Sequence, residues 1–510
     1  MNPSPISRRE FLAATAAAAA AQAAPQSGAA LPSKRPNILW IVADDHAPYV
    51  TGTYGNRRVA TPNFDHFAAR GIRFDRAFCC SPVCTASRQC FITGQYPRTI
   101  GVTQLSTALP ASQTTLAHRL ADRGFDTAAI GKMHFNSNLK HGFETRIDLE
   151  DWNTWLKTRT RTPLPAGIAA QPPWRPFKDP ASVWLNSACL PFSFMAADTS
   201  AAYFAHEAER FLRQPREKPF FLVVSFYEPH SPFNFPPEFR GRHRPDDFAA
   251  PAPGPQDAAQ VPLVFRDLTD AQKRGSIAAY HTSVEFLDRS VGRVLAALDR
   301  SDKAANTIVV YLADHGYMLG QHGRFEKHCG YDPAMSVPLI VRMPQVITAG
   351  RTCDAMVQTI DLVPTMLDLC GLPIAAEIQG KSILPLLKGQ TDRHRQTLVI
   401  EYSENAEAYI RTDRWKFIYC AGNRIRQDGY VTDHPLPGRT IRLYDLAADP
   451  EEMTSLADHP QHAALVERFT GELADHMVHT ARQPELIPRT SDPRQILDFC
   501  LQPRDVAARA

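Results

Sequence analysis

The sequence predicts an α/β protein: one large, mostly parallel sheet flanked by helices, then a smaller antiparallel sheet with a terminal helix. Four short, continuous apolar runs, at 36–43, 126–130, 219–226 and 307–313, have the composition of strands buried on both faces. Each run ends abruptly in a polar cluster, and helical patterns fall between them at 115–123, 201–212 and 267–298. Beyond Gly389 the pattern changes to short alternating runs at 398–400, 409–412, 415–419 and 443–446, followed by a helical stretch at 461–477.

A chain of 510 residues is long enough for one big domain, placed at 35–389, and a smaller one at 390–510. Apolar residues at 44% and charged ones at 21% are ordinary for a globular protein. A net charge of +3 gives no footprint for nucleic acid or an anionic membrane surface. No internal run reaches the ~18 apolar residues of a membrane span, so an integral membrane protein is not expected. Residues 1–24 read as a twin-arginine signal peptide: Arg8-Arg9 precede Phe11-Leu12, an alanine run follows, and Ala21-Gln22-Ala23 offers a small-x-small cleavage site. Residues 25–34 form a linker. The expected partner is therefore the twin-arginine export machinery, which carries folded cargo, and the expected location is periplasmic or secreted. Ten cysteines show no zinc-knuckle or ribbon spacing; most read as small buried apolar residues, with one or two disulfides left open.

The first apolar run ends in Asp44-Asp45-His46. An Asp-Asp pair is ordinarily a solvated loop. At the carboxyl end of a buried strand two adjacent carboxylates repel, and a cation relieves the cost. Oxygen ligation favours a hard ion, Ca²⁺ first and Mg²⁺ second. Residues 61–78 read as an amphipathic helix and a short strand feeding a turn at Ser81-Pro82. After it, 85–93 can form two helical turns ending at Gly94, which puts Cys84 at a helix N-terminus favourable to anions. Arg88, one turn on, can point its guanidinium back toward Cys84. The second run ends in Gly131-Lys132-Met133-His134, the third in Glu228-Pro229-His230, and the fourth in Asp314-His315-Gly316. Taken singly, a lysine or histidine after a strand is usually a surface or capping residue. Stretches 160–191 and 231–262, rich in proline, read as ordered loops over the site entrance.

The string Cys84-Thr85-Ala86-Ser87-Arg88, closing with Ile92-Thr93-Gly94, resembles the signature of type I sulfatases, in the alkaline phosphatase-like superfamily. Gly131-Lys132-Met133-His134, His230 and the segment 320–327 resemble further elements of that family, and the match runs over most of 36–389. The resemblance implies that a formylglycine-generating maturase oxidises Cys84 to formylglycine, whose hydrated aldehyde is the nucleophile. It implies that Asp44, Asp45, Asp314, His315 and residue 84 hold one divalent ion. His315 occupies a place where Asn, Gln or His occurs, and a nitrogen ligand to Ca²⁺ is less usual than oxygen. Lys132 and Lys327 would contact sulfate, His230 would protonate the leaving alcohol, His134 would accept a proton from the nucleophile, and Arg88 would anchor it. Arg324 and His328 are further candidates to reach substrate, and His322 is a candidate to stand behind the residues that do.

The activity implied is hydrolysis of a sulfate monoester, of a sulfated carbohydrate or a small sulfated molecule. The alternative within the superfamily is a phosphonate monoester or phosphodiester hydrolase, since two lysines and a cation suit either anion. A non-catalytic binder of sulfated glycans would instead keep Cys84 as a thiol.

Overall fold

The computed structural model describes residues 34–170, 185–259, 261–344, 346–422 and 438–505. The expected signal peptide, most of the linker, and residues 171–184 of the first proline-rich loop lie outside the described residues.

In chain order the strands are β1 (Asn37–Asp44), β2 (Ile72–Phe74), β3 (Ala77–Phe78), β4 (Asp126–Gly131), β5 (Thr145–Ile147), β6 (Phe220–Pro229), β7 (Thr307–Ala313), β8 (Leu339–Arg342), β9 (Arg351–Cys353), β10 (Val357–Gln358), β11 (Thr397–Tyr402), β12 (Glu407–Thr412), β13 (Trp415–Cys420) and β14 (Thr440–Asp445). Among the described residues, eight of them form one sheet in the order β5-β4-β6-β1-β7-β8-β2-β9. The four apolar runs of the sequence are its centre. β4 pairs with β6, β6 with β1, and β1 with β7, all parallel, with Ile38 opposite both Phe221 and Ile308. Parallel pairing brings all four carboxyl ends to one edge, which is why four distant polar clusters can meet there. The antiparallel members are β8 against β7 and β2 against β8, so the sheet is mixed but mostly parallel.

Helices cover both faces. The helix Asp270–Asp299, capped by Thr269, packs on β6 and on the helices Pro62–Ala69 and Ser200–Arg213. Strands β1 and β7 are buried along almost their whole length, as continuous Val, Ile and Leu runs require. The smaller sheet is an antiparallel meander, β11-β12-β13-β14, whose apolar side is covered by the helices Ala463–His479 and Pro493–Cys500. The second of these helices was not expected. Among the described residues no helix is long and apolar enough to cross a membrane. All ten cysteines are free thiols.

The smaller sheet reaches the larger one through a loop at 103–107. Leu105 N donates to Glu404 Oε1 at 2.6 Å, and the Leu105 carbonyl accepts from Thr85 Oγ1 at 2.6 Å, next to Cys84. From the far side the Asp505 carboxylate accepts from Thr103 N at 2.9 Å, Thr103 Oγ1 at 2.5 Å, Gln104 N at 3.0 Å and Thr107 Oγ1. Asp505→Ala strips these donors of their acceptor. We expect a loss of about 2 kcal/mol in denaturant unfolding, with faster hydrogen exchange at the Thr103 and Gln104 amides. Unchanged exchange there would show that the loop holds itself.

Candidate functional site

Strand ends position each functional segment. β1 delivers Asp44 and Asp45, both fully buried. Asp45 adopts a left-handed conformation (φ 61°) that turns the chain off the sheet. Tyr280, from the long helix, fixes that turn: its hydroxyl donates to the Asp45 carbonyl and accepts from the Ala47 amide at 2.8 Å. β4 ends at Gly131 (φ 97°), where a Cβ would lie 1.9 Å from the Ser225 carbonyl oxygen. Glycine is therefore what lets the chain turn into Lys132.

The helix Cys84–Thr93 starts at extended Val83 and ends at left-handed Gly94 (φ 75°). All ten of its residues are buried, and Cys84 sits in the first turn, where backbone amides are unclaimed by the helix. The hydrogen bonds of Arg88 go to groups other than the sulfur. Its Nε donates to Asp314 Oδ2 at 2.7 Å, and one terminal nitrogen donates to the Lys132 carbonyl at 2.5 Å and Ser225 Oγ at 2.8 Å. The buried Asp314 carboxylate is a stronger acceptor than sulfur, so the guanidinium ties the ends of β7, β4 and β6 together.

Around Cys84 the predicted residues converge. Its Sγ lies 3.1 Å from His315 Nε2, 3.3 Å from Lys327 Nζ and 3.4 Å from Asp44 Oδ1. His134 lies against the same sulfur. Lys327 Nζ also donates to Asp45 Oδ1 at 2.7 Å, and Lys132 Nζ to Asp44 Oδ2. His230 Nδ1 donates to the Ser231 carbonyl at 2.7 Å, which leaves Nε2 3.9 Å from Asp45 Oδ2. Three buried carboxylates thus face three buried cations, Arg88, Lys132 and Lys327.

These charges shift one another's protonation. Burial and Cys84 push Asp44 up, but Lys132, His230 and Arg88 outweigh them and hold it below the usual carboxylate range. Burial pushes Asp314 up to about 7 despite Arg88. Burial opposes a charged His315, yet Asp314 and Cys84 raise it to about 9. Burial would raise the Cys84 thiol, but Lys132, Lys327 and His315 hold it well below its ordinary value.

The donor set fits a cation. Ligand atoms of Asp44, Cys84, Asp314 and His315 lie within 4.8 Å of one another, as do those of Asp44, Asp45, Cys84 and His230. Asp45 Oδ2 is buried and accepts no hydrogen bond among the described residues. A charged oxygen left without a donor inside a protein is costly unless something positive meets it.

Cys84 lies on the floor of a cavity of about 990 Å³, whose lining includes Asp45, Lys132, His134, His230, Lys327 and His328. The opposite wall was not foreseen. It comes from the segment 135–153 with Asn136, Asn138, Arg146, Asp148, Glu150 and Asn153, which carries no motif. Of the proline-rich stretch 231–262, Ser231 alone appears in the lining; Phe233, Phe235 and Phe239 are core. The smaller domain contributes no lining residue among those described; its Tyr402 instead stacks behind His328, with ring centroids 5.6 Å apart. His322 and Arg324 are not at the cavity. His322 Nδ1 bonds Asp257 at 3.0 Å and its ring stacks on Tyr331 at 3.6 Å, while Arg324 donates to Glu326 at 2.7 Å.

Two substitutions test this charge balance. Arg88→Met leaves Asp314 buried without its partner, and we expect about 3–5 kcal/mol lost in urea unfolding. Glu228, just before Pro229-His230, is 6% exposed and burial raises its carboxyl from 4.5 to about 7. The unfolded chain ionises it first, so stability is full below about pH 4.5 and falls as pH rises through about 7. Glu228→Gln should flatten that decline in denaturant midpoints between pH 5 and 8; an unaltered slope would remove Glu228 as its source.

Comparison with known proteins agrees with this architecture. A family model described as Sulfatase matches residues 36–372, and one for the C-terminal part of N-sulphoglucosamine sulphohydrolase matches 320–479. Mouse steryl-sulfatase is 28% identical, over 92% of this chain and 86% of its own length. The Delta 4,5-hexuronate-2-O-sulfatase of Bacteroides thetaiotaomicron is 26% identical, over 91% and 94%. Among solved structures, a phosphonate monoester hydrolase of Agrobacterium radiobacter superposes with a TM-score of 0.74 at 24% identity, covering 90% of this chain and 98% of that one.

Proposed function

The chain belongs to the sulfatase family and is a sulfuric ester hydrolase, and from that premise we propose that it removes sulfate from a sulfated carbohydrate. The observation that carries the reading is Cys84 itself: buried at a helix N-terminus on a cavity floor, within 3.4 Å of a carboxylate, an imidazole and an amine. Carbohydrate sulfatases among its relatives support the substrate class, including an N-acetylglucosamine-6-O-sulfatase of Bacteroides thetaiotaomicron. So does the cavity wall, whose asparagines and carboxylates offer donors and acceptors to sugar hydroxyls.

In this reading Cys84 is converted to formylglycine, which supplies a carbon bearing two hydroxyls. Asp44, Asp45, Asp314 and His315 would hold one divalent ion, Ca²⁺ before Mg²⁺, and that ion would supply Lewis-acid polarisation of the sulfate and a lowered hydroxyl pKa. The chain's own residues do the rest. Lys132 and Lys327 place two ammonium groups where the sulfuryl oxygens sit and offset their charge. Burial works against a charged His230, but Asp45 outweighs it and raises its pKa. His230 lines the cavity and would supply the proton that the departing alcohol needs, and Ser231 orients its ring. Burial keeps His134 below its ordinary pKa, which suits a base beside residue 84. The twin-arginine leader belongs to the same reading, with conversion by a maturase before export of the folded chain to the periplasm.

Hydrolysis of a phosphonate or phosphate ester is the second reading, since two lysines beside a cation site also suit a dianion. Turnover of matched aryl sulfate, aryl phosphate and phenylphosphonate esters decides between them. We expect the sulfate to be preferred, with Cys84→Ala reducing turnover to background and chelation abolishing it until Ca²⁺ is restored. His230→Ala should cost roughly 10²–10⁴-fold on an alkyl or sugar sulfate, and much less on a nitrophenyl sulfate, whose leaving group needs no proton. Equal losses on both would remove His230 as the acid, and a faster phosphonate would overturn the sulfatase reading.

A further inference from the structure

Before conversion, residue 84 is a thiol, and the groups gathered round it are a different donor set from the one a hard ion prefers. We propose that the unconverted chain is a zinc-binding protein, holding Zn²⁺ through Asp44, Cys84, Asp314 and His315, and that conversion of Cys84 passes the site to the hard ion. This rests on the reading of Cys84 as the converted residue.

The spacing matches. Zinc about 2.0–2.3 Å from four tetrahedral ligands sets those ligands roughly 3.3–3.8 Å apart. Here Sγ and Asp44 Oδ1 are 3.4 Å apart and His315 Nε2 and Asp314 Oδ1 3.6 Å, both inside that range, while Sγ and His315 Nε2, at 3.1 Å, would part by a few tenths of an ångström to admit the ion. All four side chains are buried.

Each ligand is also held from behind. His315 Nδ1 faces the Gly316 carbonyl at 2.9 Å. A carbonyl only accepts, so Nδ1 carries a hydrogen and Nε2 is the nitrogen aimed at the site, its lone pair available to a metal once the proton shared with the sulfur leaves. Lys132 holds Asp44 Oδ2, and Arg88 Nε holds Asp314 Oδ2 at 2.7 Å, while Asp314 Oδ1 is fixed beside His315 by the Asp45 and His315 amides at 3.2 and 3.0 Å, with a lone pair left for an ion. Lys327 Nζ lies 3.3 Å from the sulfur and offsets thiolate charge.

Ligand softness sets the selectivity. One thiolate, one imidazole and two carboxylates make a zinc set, whereas Ca²⁺ takes six to eight oxygens. Binding takes the proton shared between Cys84 Sγ and His315 Nε2, releases it to solvent and forms Zn–S and Zn–N bonds, with no change of oxidation state. Once sulfur is replaced by oxygen, the imidazole is the one remaining soft ligand and the preference moves to the hard ion.

The test uses full-length chain produced without a maturase, with the thiol at residue 84 verified by peptide mass. After dialysis against equal Zn²⁺ and Ca²⁺, metal content is measured, and Co²⁺ replaces Zn²⁺ for absorption spectroscopy. We expect one zinc per chain and a thiolate-to-cobalt charge-transfer band. Cys84→Ser should abolish the band and weaken zinc more than the ~100-fold typical of outer-shell changes; His315→Asn should weaken zinc while the band persists. Cys90→Ser, on the same helix, should alter neither, and circular dichroism checks that each variant is folded. The converted chain should take Ca²⁺ and show no band. Cobalt bound without a thiolate band, zinc retained unchanged in Cys84→Ser, or calcium preferred by the thiol form would each overturn the proposal. Failure of the underlying reading shows separately, as an unchanged mass at residue 84 in chain made with the maturase.

Discussion

Three carboxylates share one buried edge of a sheet, and the rest of the molecule is arranged to make that tolerable. Asp44, Asp45 and Asp314 are fully buried and belong to neighbouring strands, so their mutual repulsion is little relieved by water. Arg88, Lys132 and Lys327 balance them, and Arg88 does so while bonding the carboxyl ends of three strands at once. A buried ion pair of this kind is poor evidence for net stability. Its worth lies in orientation: Lys132 claims one oxygen of Asp44 and Lys327 one of Asp45, while Arg88 and two backbone amides fix both oxygens of Asp314.

The second constraint is access. Cys84 is 1% exposed, yet it lines a cavity large enough for a sugar. The fold manages both by burying the helix Cys84–Thr93 on all sides and leaving only its first turn at the cavity floor. Support for that turn comes from far along the chain. The loop 103–107 is gripped by Glu404 from the smaller sheet and by Asp505 near the C-terminus, and passes that grip to Thr85. The smaller domain therefore acts on the site from behind, through this loop and the Tyr402 stack on His328, and supplies no lining residue among those described.

Much of this was legible in the residues themselves. Asn37–Ala43, Asp126–Ile130, Phe220–Phe226 and Thr307–Ala313 are strands because a doubly buried strand needs an unbroken apolar run. The polar clusters that end them had to fall at carboxyl ends, where parallel sheets gather ligands. Asp44, Asp45, Cys84, Lys132, His134, His230, Asp314, His315 and Lys327 are brought together as expected. The wall at 135–153 was not legible, because asparagines and acids spread over a loop, a short strand and the start of a helix have no spacing that separates them from an ordinary solvated face. The partners of Arg88 were hidden for a related reason: helical spacing sets it on the face of Cys84 but does not reveal a carboxylate 226 positions away.

By itself, then, the sequence determined which segments are strands, which residue types end them and which family the Cys84 string resembles, since all three are local patterns of polarity and spacing. Only the tertiary structure decided which atoms touch. That Lys327 reaches both Asp45 and the sulfur, that His322 turns away to Tyr331, and that Asp505 latches a loop some four hundred residues earlier follow from strand order and helix docking. Those depend on the summed packing of the whole core, and no short stretch of residues contains that sum.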